Sequence, residues 1–195
     1  MAKHICVLNG HPDPSEDRFV HALSRSYAKG AELAGYSVET IDIGGIALEP
    51  LGSAADFETP PDSRIQEERE KIARADHIMF AFPLWLGSMP AKTRAFIEQT
   101  ARGGFYLDTS DKEKSWPKKM MAGKSARVIV TMGMPAIAYK LLFDSGALKA
   151  VERGLLGISG FKPVRHTVYG GVDAVSADKR ATWLDDVRRL GAGAQ

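Results

Sequence analysis

Apolar positions recur along this chain at two periods, and the period changes from segment to segment. Residues 4–10, "HICVLNG", form a short β-rich run that stops at Asn9-Gly10, and a proline-rich turn, "HPDPSED", follows. Phe19, Val20, Leu23, Tyr27, Ala31 and Ala34 then fall at helical spacing, with Gly35 as the stop. "YSVETIDI" alternates like a strand with one buried face, and residues 44–61 read as a loop crossing the surface. A charged helix with a thin stripe (Ile65, Ile72, Ala75) leads into "HIMFAF", a continuous apolar run of the kind covered on both faces. Ser88 is the predicted N-cap of the next helix, with Pro90 in its first turn and an end near Arg102. A long polar stretch, residues 103–125, separates it from the strand "ARVIVTMG". Helical spacing from 137 to 156, a fifth strand "KPVRHTVYG", and an amphipathic helix opened by Ser176 complete the pattern.

Strands that alternate with helices, each needing a crossover, imply a parallel sheet covered on both faces. Five strands in this order suit an α/β, doubly wound, flavodoxin-like fold with sheet order 2-1-3-4-5, built as a single domain over residues 1–195.

Composition narrows the class. With 44% hydrophobic and 26% charged residues, the chain is an ordinary globular one with material for one core. A net charge of +2, with basic and acidic residues interleaved, offers no one-sided patch for nucleic acid. No apolar run reaches the length of a membrane span, and the amino terminus enters a strand pattern without a signal-type segment, so the expectation is a cytoplasmic protein without membrane insertion. Cys6, the single cysteine, sits in the first apolar run and reads as a buried, inert thiol. The remaining histidines, His4, His21, His77 and His166, show no metal-ligand spacing, so no metal site is expected.

Chemistry belongs beyond the carboxyl ends of the strands, where three unusual loops meet. The first is polar and opens a helix, whose N-terminal N–H groups and dipole favour an anion, with His11, Ser15 and Arg18 as added donors. The second, Pro83-Leu84-Trp85-Leu86-Gly87, is too apolar for an ordinary surface loop and offers a flat surface with backbone polar groups. The third, Thr131-Met132-Gly133, is small and lets a ligand approach the backbone. An anionic site beside a flat apolar one describes a phosphorylated planar heterocycle, and flavin fits that description. The G-x-G-x-x-G, P-loop and nucleophile-elbow patterns are absent.

The segments "NGHPDPS…RF..AL", "FPLWLGSMPA", "GGFY", "TMGMPA..Y" and "GFKPV" resemble the NAD(P)H:quinone oxidoreductase family of flavodoxin-like proteins, in the right order over nearly the whole chain. That family includes DT-diaphorase, bacterial modulators of drug activity and the ancillary flavoproteins of potassium efflux systems. The resemblance implies an NAD(P)H dehydrogenase (quinone), a homodimer with non-covalently bound FAD or FMN, NAD(P)H as co-substrate and a quinone or similar acceptor. It puts His11, Ser15, Arg18 and Phe19 around the flavin phosphates and ribityl chain. It sets Pro83, Leu84, Trp85 and Leu86 along the isoalloxazine, and Thr131, Met132 and Gly133 at its polar end. Tyr139 matches a tyrosine that assists catalysis near the substrate. The chain departs from the mammalian members at Ser145, where they carry a histidine, and lacks their carboxyl-terminal extension around the adenosine of FAD. Two other readings use the same fold: a regulatory flavoprotein subunit of a potassium efflux system, and a flavodoxin-type electron carrier, a class usually more acidic than this chain. The basic run Lys112 to Lys124 reads as a solvated loop or a lid over a partner subunit's flavin.

Overall fold

The computed structural model describes residues 2–110 and 116–194. Its sheet has five parallel strands in the order β2-β1-β3-β6-β7: β1 (His4–Asn9), β2 (Ser37–Asp42), β3 (His77–Pro83), β6 (Ser125–Met132) and β7 (Val164–Gly170). Two further strands, β4 (Leu107–Asp108) and β5 (Lys118–Lys119), form a separate two-residue antiparallel pair inside the long polar stretch. The main sheet is the predicted 2-1-3-4-5 arrangement. β3 pairs with β1 on one side and β6 on the other and is buried along its whole length. That placement is why "HIMFAF" carries no polar position between His77 and Pro83.

The pleat divides the core in two. Ile78, Phe80 and Phe82 point into one layer with Phe96, Val128 and Val130, under α2 (Ser63–Arg74) and α3 (Ala91–Ala101). Met79 and Ala81 point into the other with Leu23, Tyr27, Ile129 and Val187, under α1 (Phe19–Leu33) and α6 (Ala177–Ala192). α1 and α6 meet at Gly30 and Gly191, where a Cβ would run into the facing backbone. Cys6 is buried in the first layer, and burial pushes its thiol pKa well above the usual range, in keeping with an inert side chain.

Three segments differ from the sequence reading. Ser88 does not cap α3; its backbone closes a tight turn with Trp85, and the helix begins after Pro90. The expected helix over 137–156 is broken at Asp144 and Ser145, both at positive φ, into α4 (Ala136–Phe143), α5 (Gly146–Lys149) and a π-helical segment, Ala150–Gly157. The loop at 44–61 contains two 3₁₀ turns, Ile43–Gly45 and Ala54–Glu58. Of the basic run read as a solvated loop or a lid, residues 111–115 lie outside the described residues. The cap predicted at Ser176 is present, its Oγ accepting from the Lys179 N–H, and Asp62, not singled out from sequence, caps α2 through the Ile65 N–H.

Candidate functional site

The β1 loop is built on a buried polar network. Asn9 ends β1 with its side chain inside, where Oδ1 accepts from the His11 N–H and Nδ2 donates to Asp42 and to His21 Nδ1. Gly10 follows because nothing larger fits: a Cβ there would lie 2.8 Å from Ala81 O and 2.9 Å from Thr93 Cγ2. Thr93 Oγ1 donates to Gly10 O and ties the loop to α3. Asp13 then clasps the turn, its carboxylate accepting from the Ser15 N–H at 2.9 Å and from Arg18 Nε at 2.7 Å, with Arg18 Nη2 at 2.6 Å. The Ser15 N–H and the Arg18 guanidinium hold the Asp13 carboxyl below the ordinary carboxylate range. Arg18 is the N-cap residue of α1 and no side chain caps the helix; the Arg18 and His21 N–H groups donate to Ser15 O and Arg18 O, which leaves those of Phe19 and Val20 available to an anion.

Beyond β3 the chain makes a two-residue hairpin. The Trp85 N–H donates to Ser88 O and the Ser88 N–H to Trp85 O, with Leu86 and Gly87 between them, both at positive φ. The Leu84 N–H donates to Thr131 O, extending the β3–β6 pairing by one step. The backbone donors expected from Leu84 and Trp85 are therefore committed within the protein. What these residues offer is side-chain surface. The β7 loop folds back over the β6 loop, since the Gly171 N–H donates to Met134 O and the Val172 N–H to Met132 O.

These loops enclose one cavity of about 490 Å³ at the carboxyl ends of the strands. His11 and Arg18 line it from the β1 loop, Pro83, Leu84 and Trp85 from the β3 loop, and Thr131, Met132 and Gly133 from the β6 loop. Phe19 also lines it. His11 is almost buried and meets the Trp85 ring edge-on at 6.0 Å; burial, more than any neighbouring charge, holds its pKa down and keeps it neutral. Of the predicted residues, Ser15 supports the loop through its N–H without lining the cavity, and Leu86 stands fully exposed at the hairpin tip. Tyr139 is buried at the start of α4, its hydroxyl accepting from the Leu148 N–H at 3.2 Å and its ring stacked on Phe143. The structure does not bring Tyr139 to the cavity.

Asp13, Val20, Val172 and Asp173 line the cavity as well and were not singled out from sequence. A second cavity of about 590 Å³ adjoins the first, shares Arg18, Phe19, Val172 and Asp173 with it, and runs along α6 to Ala177, Arg180 and Leu184. A third cavity, about 650 Å³, lies at the far end of α3 between Phe57, Tyr106, Leu107 and Leu155. Among the described residues its walls carry Glu58 and Asp108.

The fold and this site define a class. The Flavodoxin_2 family, described as a flavodoxin-like fold, matches residues 3–190, and the chain belongs to it. Among curated proteins, the chain is similar to the ribosyldihydronicotinamide dehydrogenase [quinone] of Mus musculus, at 23% identity over 96% of this chain and 92% of that protein. Among solved structures, it superposes on the NAD(P)H:quinone oxidoreductase of Methanothermobacter marburgensis with a TM-score of 0.80 at 22% identity, covering 99% of this chain and 97% of the other. An FMN-dependent NADH-azoreductase of Bacillus anthracis, in complex with FMN, gives a TM-score of 0.76 at 11% identity over 99% of both chains.

Proposed function

We propose that this protein is a flavin-dependent NAD(P)H oxidoreductase that reduces a quinone or a similar acceptor. One observation carries the reading: a single cavity brings Arg18, held by Asp13 at the start of α1, together with the apolar side chains of Pro83, Leu84 and Trp85, at the strand ends where this fold places ligands. The residues fit a flavin. Arg18 and the open N–H groups of α1 would hold the phosphate, His11 and Phe19 the chain beside it, and Pro83, Leu84 and Trp85 the ring. When bound, flavin supplies hydride acceptance and release; the protein orients it and excludes water from one face. The quinone reductases among the relatives support the same acceptor class. Steady-state oxidation of NADPH or NADH with a soluble benzoquinone tests the activity, and no turnover by the flavin-loaded protein would overturn it.

The flavin in this reading is FAD. The adjoining cavity along α6, ending on Arg180, gives room for a second phosphate and an adenosine that FMN would leave unused. Heat-released cofactor identified by chromatography checks this, and FMN in the released fraction would count against it.

The working form in this reading is a cytoplasmic homodimer. α4 exposes Ile137, Leu141, Leu142 and Phe143, the last next to Gly87 of the hairpin that carries exposed Trp85 and Leu86, an apolar surface that suits a second copy of the chain. No helix among the described residues is long and apolar enough to cross a membrane.

A further inference from the structure

His11 and His21 lie on either side of the Asp13 backbone, with ring centroids 5.8 Å apart. The hydrogen bonds around them fix which nitrogen of each ring carries the proton. Asn9 Oδ1 must accept from the His11 N–H, and Asn9 Nδ2 faces the Asp42 carboxylate, so the amide has one workable orientation. Nδ2 is then a donor to His21 Nδ1 at 2.8 Å, and that nitrogen carries a lone pair. His21 is left as the Nε2–H form, which donates to Asp13 O at 3.0 Å. Two groups of Asp13 lie 3.1 Å from His11 Nδ1, its N–H and its carbonyl. The carbonyl already has a donor in His21, whereas His11 Nδ1 is the acceptor that the Asp13 N–H has. His11 Nδ1 therefore accepts, and its proton sits on Nε2. Among the described residues that nitrogen has no partner in the protein, and His11 lines the cavity.

We propose that His21 is a positioning residue which, through the Asp13 carbonyl, presets His11 as an Nε2–H donor to the cavity. His21 does not line the cavity itself. It faces the smaller space behind the loop, about 220 Å³, alongside Glu16, Arg25 and Asp42, and acts on the cofactor side only through Asp13 and His11. The effect on cofactor affinity rests on the flavin reading; the effect on the His11 proton does not.

The test is a ¹⁵N spectrum of the histidine rings in the cofactor-free protein near neutral pH, for wild type and three variants. Wild type should show both rings as Nε2–H. In His21→Leu the carbonyl of Asp13 is freed, and His11 should turn to, or mix with, the Nδ1–H form. His21→Gln, whose amide nitrogen stands where Nε2 was, should keep His11 as in wild type. His21→Asn, which reaches toward Asn9 and not Asp13, should behave like His21→Leu. Flavin affinity, read by fluorescence quenching, should fall about tenfold in His21→Leu and His21→Asn and stay near wild type in His21→Gln, the loss of one well-placed hydrogen bond. An Nδ1–H form of His11 in wild type, or an unchanged His11 in both disruptive variants, overturns the proposal. If the ring protonation follows the expected pattern but no variant binds flavin, the flavin reading fails and the His21–His11 coupling stands. Melting curves of each variant separate a loss of affinity from a loss of fold.

Discussion

Gly10 is the residue on which the site's shape depends most directly. A methyl group there would press on the Ala81 carbonyl and the Thr93 side chain, both fixed by the sheet and by α3. Gly10→Ala should destabilise the protein by about 2 kcal/mol and weaken flavin binding with it, as overpacking of a rigid site does; a denaturant titration of both proteins checks the stability loss. His77 offers a second residue-scale expectation. It is buried between the Tyr27 hydroxyl and Ser125 Oγ, and burial, with lesser contributions from Lys3, Arg127 and Arg165, brings its pKa down to about 4. The fold thus favours neutral His77, and its contribution is complete above pH 6.5, the ordinary value. Below that only the unfolded chain takes the proton, so stability declines until the pH reaches about 4. The total is on the order of 3 kcal/mol. The melting temperature of wild type should therefore fall more steeply over this range than that of His77→Gln; equal slopes would contradict it. At this scale the sequence told much about His11, Arg18 and the Pro83–Trp85 wall, because residue type and position at a strand end bear on chemistry directly. It told less about Asp13, since a carboxylate runs against the expectation for a phosphate loop, although the Asp-Pro-Ser spacing of an Asx turn was there to be read. His21 was set aside because a helical histidine with no metal spacing shows nothing of a partner twelve residues away.

Among the elements, the hairpin after β3 departs furthest from local preference. Its two central positions are both at positive φ, the geometry that Asn-Gly satisfies, yet the first is Leu86, fully exposed. A bulky residue in that conformation costs about 1–2 kcal/mol. Leu86→Asn should raise the stability of the monomer by roughly 1 kcal/mol and weaken self-association. Sedimentation velocity with a parallel melt reads both, and unchanged association would remove Leu86 from the interface. The element types themselves were legible because hydrophobic period and strand–helix alternation agree throughout. What periodicity could not reveal was local chemistry that leaves the pattern intact: apolar spacing stays helical across the break at Asp144-Ser145, where the turn signal Asp-Ser-Gly is the better guide, and Ser88 looks like a cap while its backbone closes a turn. Tyr139 was assigned by its match to a family position, and here α4 turns it into the core against Leu148.

At the scale of the whole molecule, the order 2-1-3-4-5 brings the β1, β3 and β6 loops together, and that convergence was readable from the succession of elements alone. The contribution of the β7 loop was not, since an edge strand gives no hint that Gly171 and Val172 hydrogen-bond back onto the β6 loop and carry Asp173 to the cavity. The result is a cavity that brings Arg18 together with apolar side chains, an annex along α6, and an exposed apolar helix next to the hairpin after β3. Each part supports the proposed flavin-dependent function. The visible absorption spectrum of the purified protein, recorded before and after anaerobic addition of NADPH or NADH, tests this most directly. The account predicts a yellow protein whose flavin band bleaches on mixing and returns when a quinone is added. A protein that remains colourless after incubation with both FAD and FMN, or a yellow one that neither nucleotide bleaches, would contradict it.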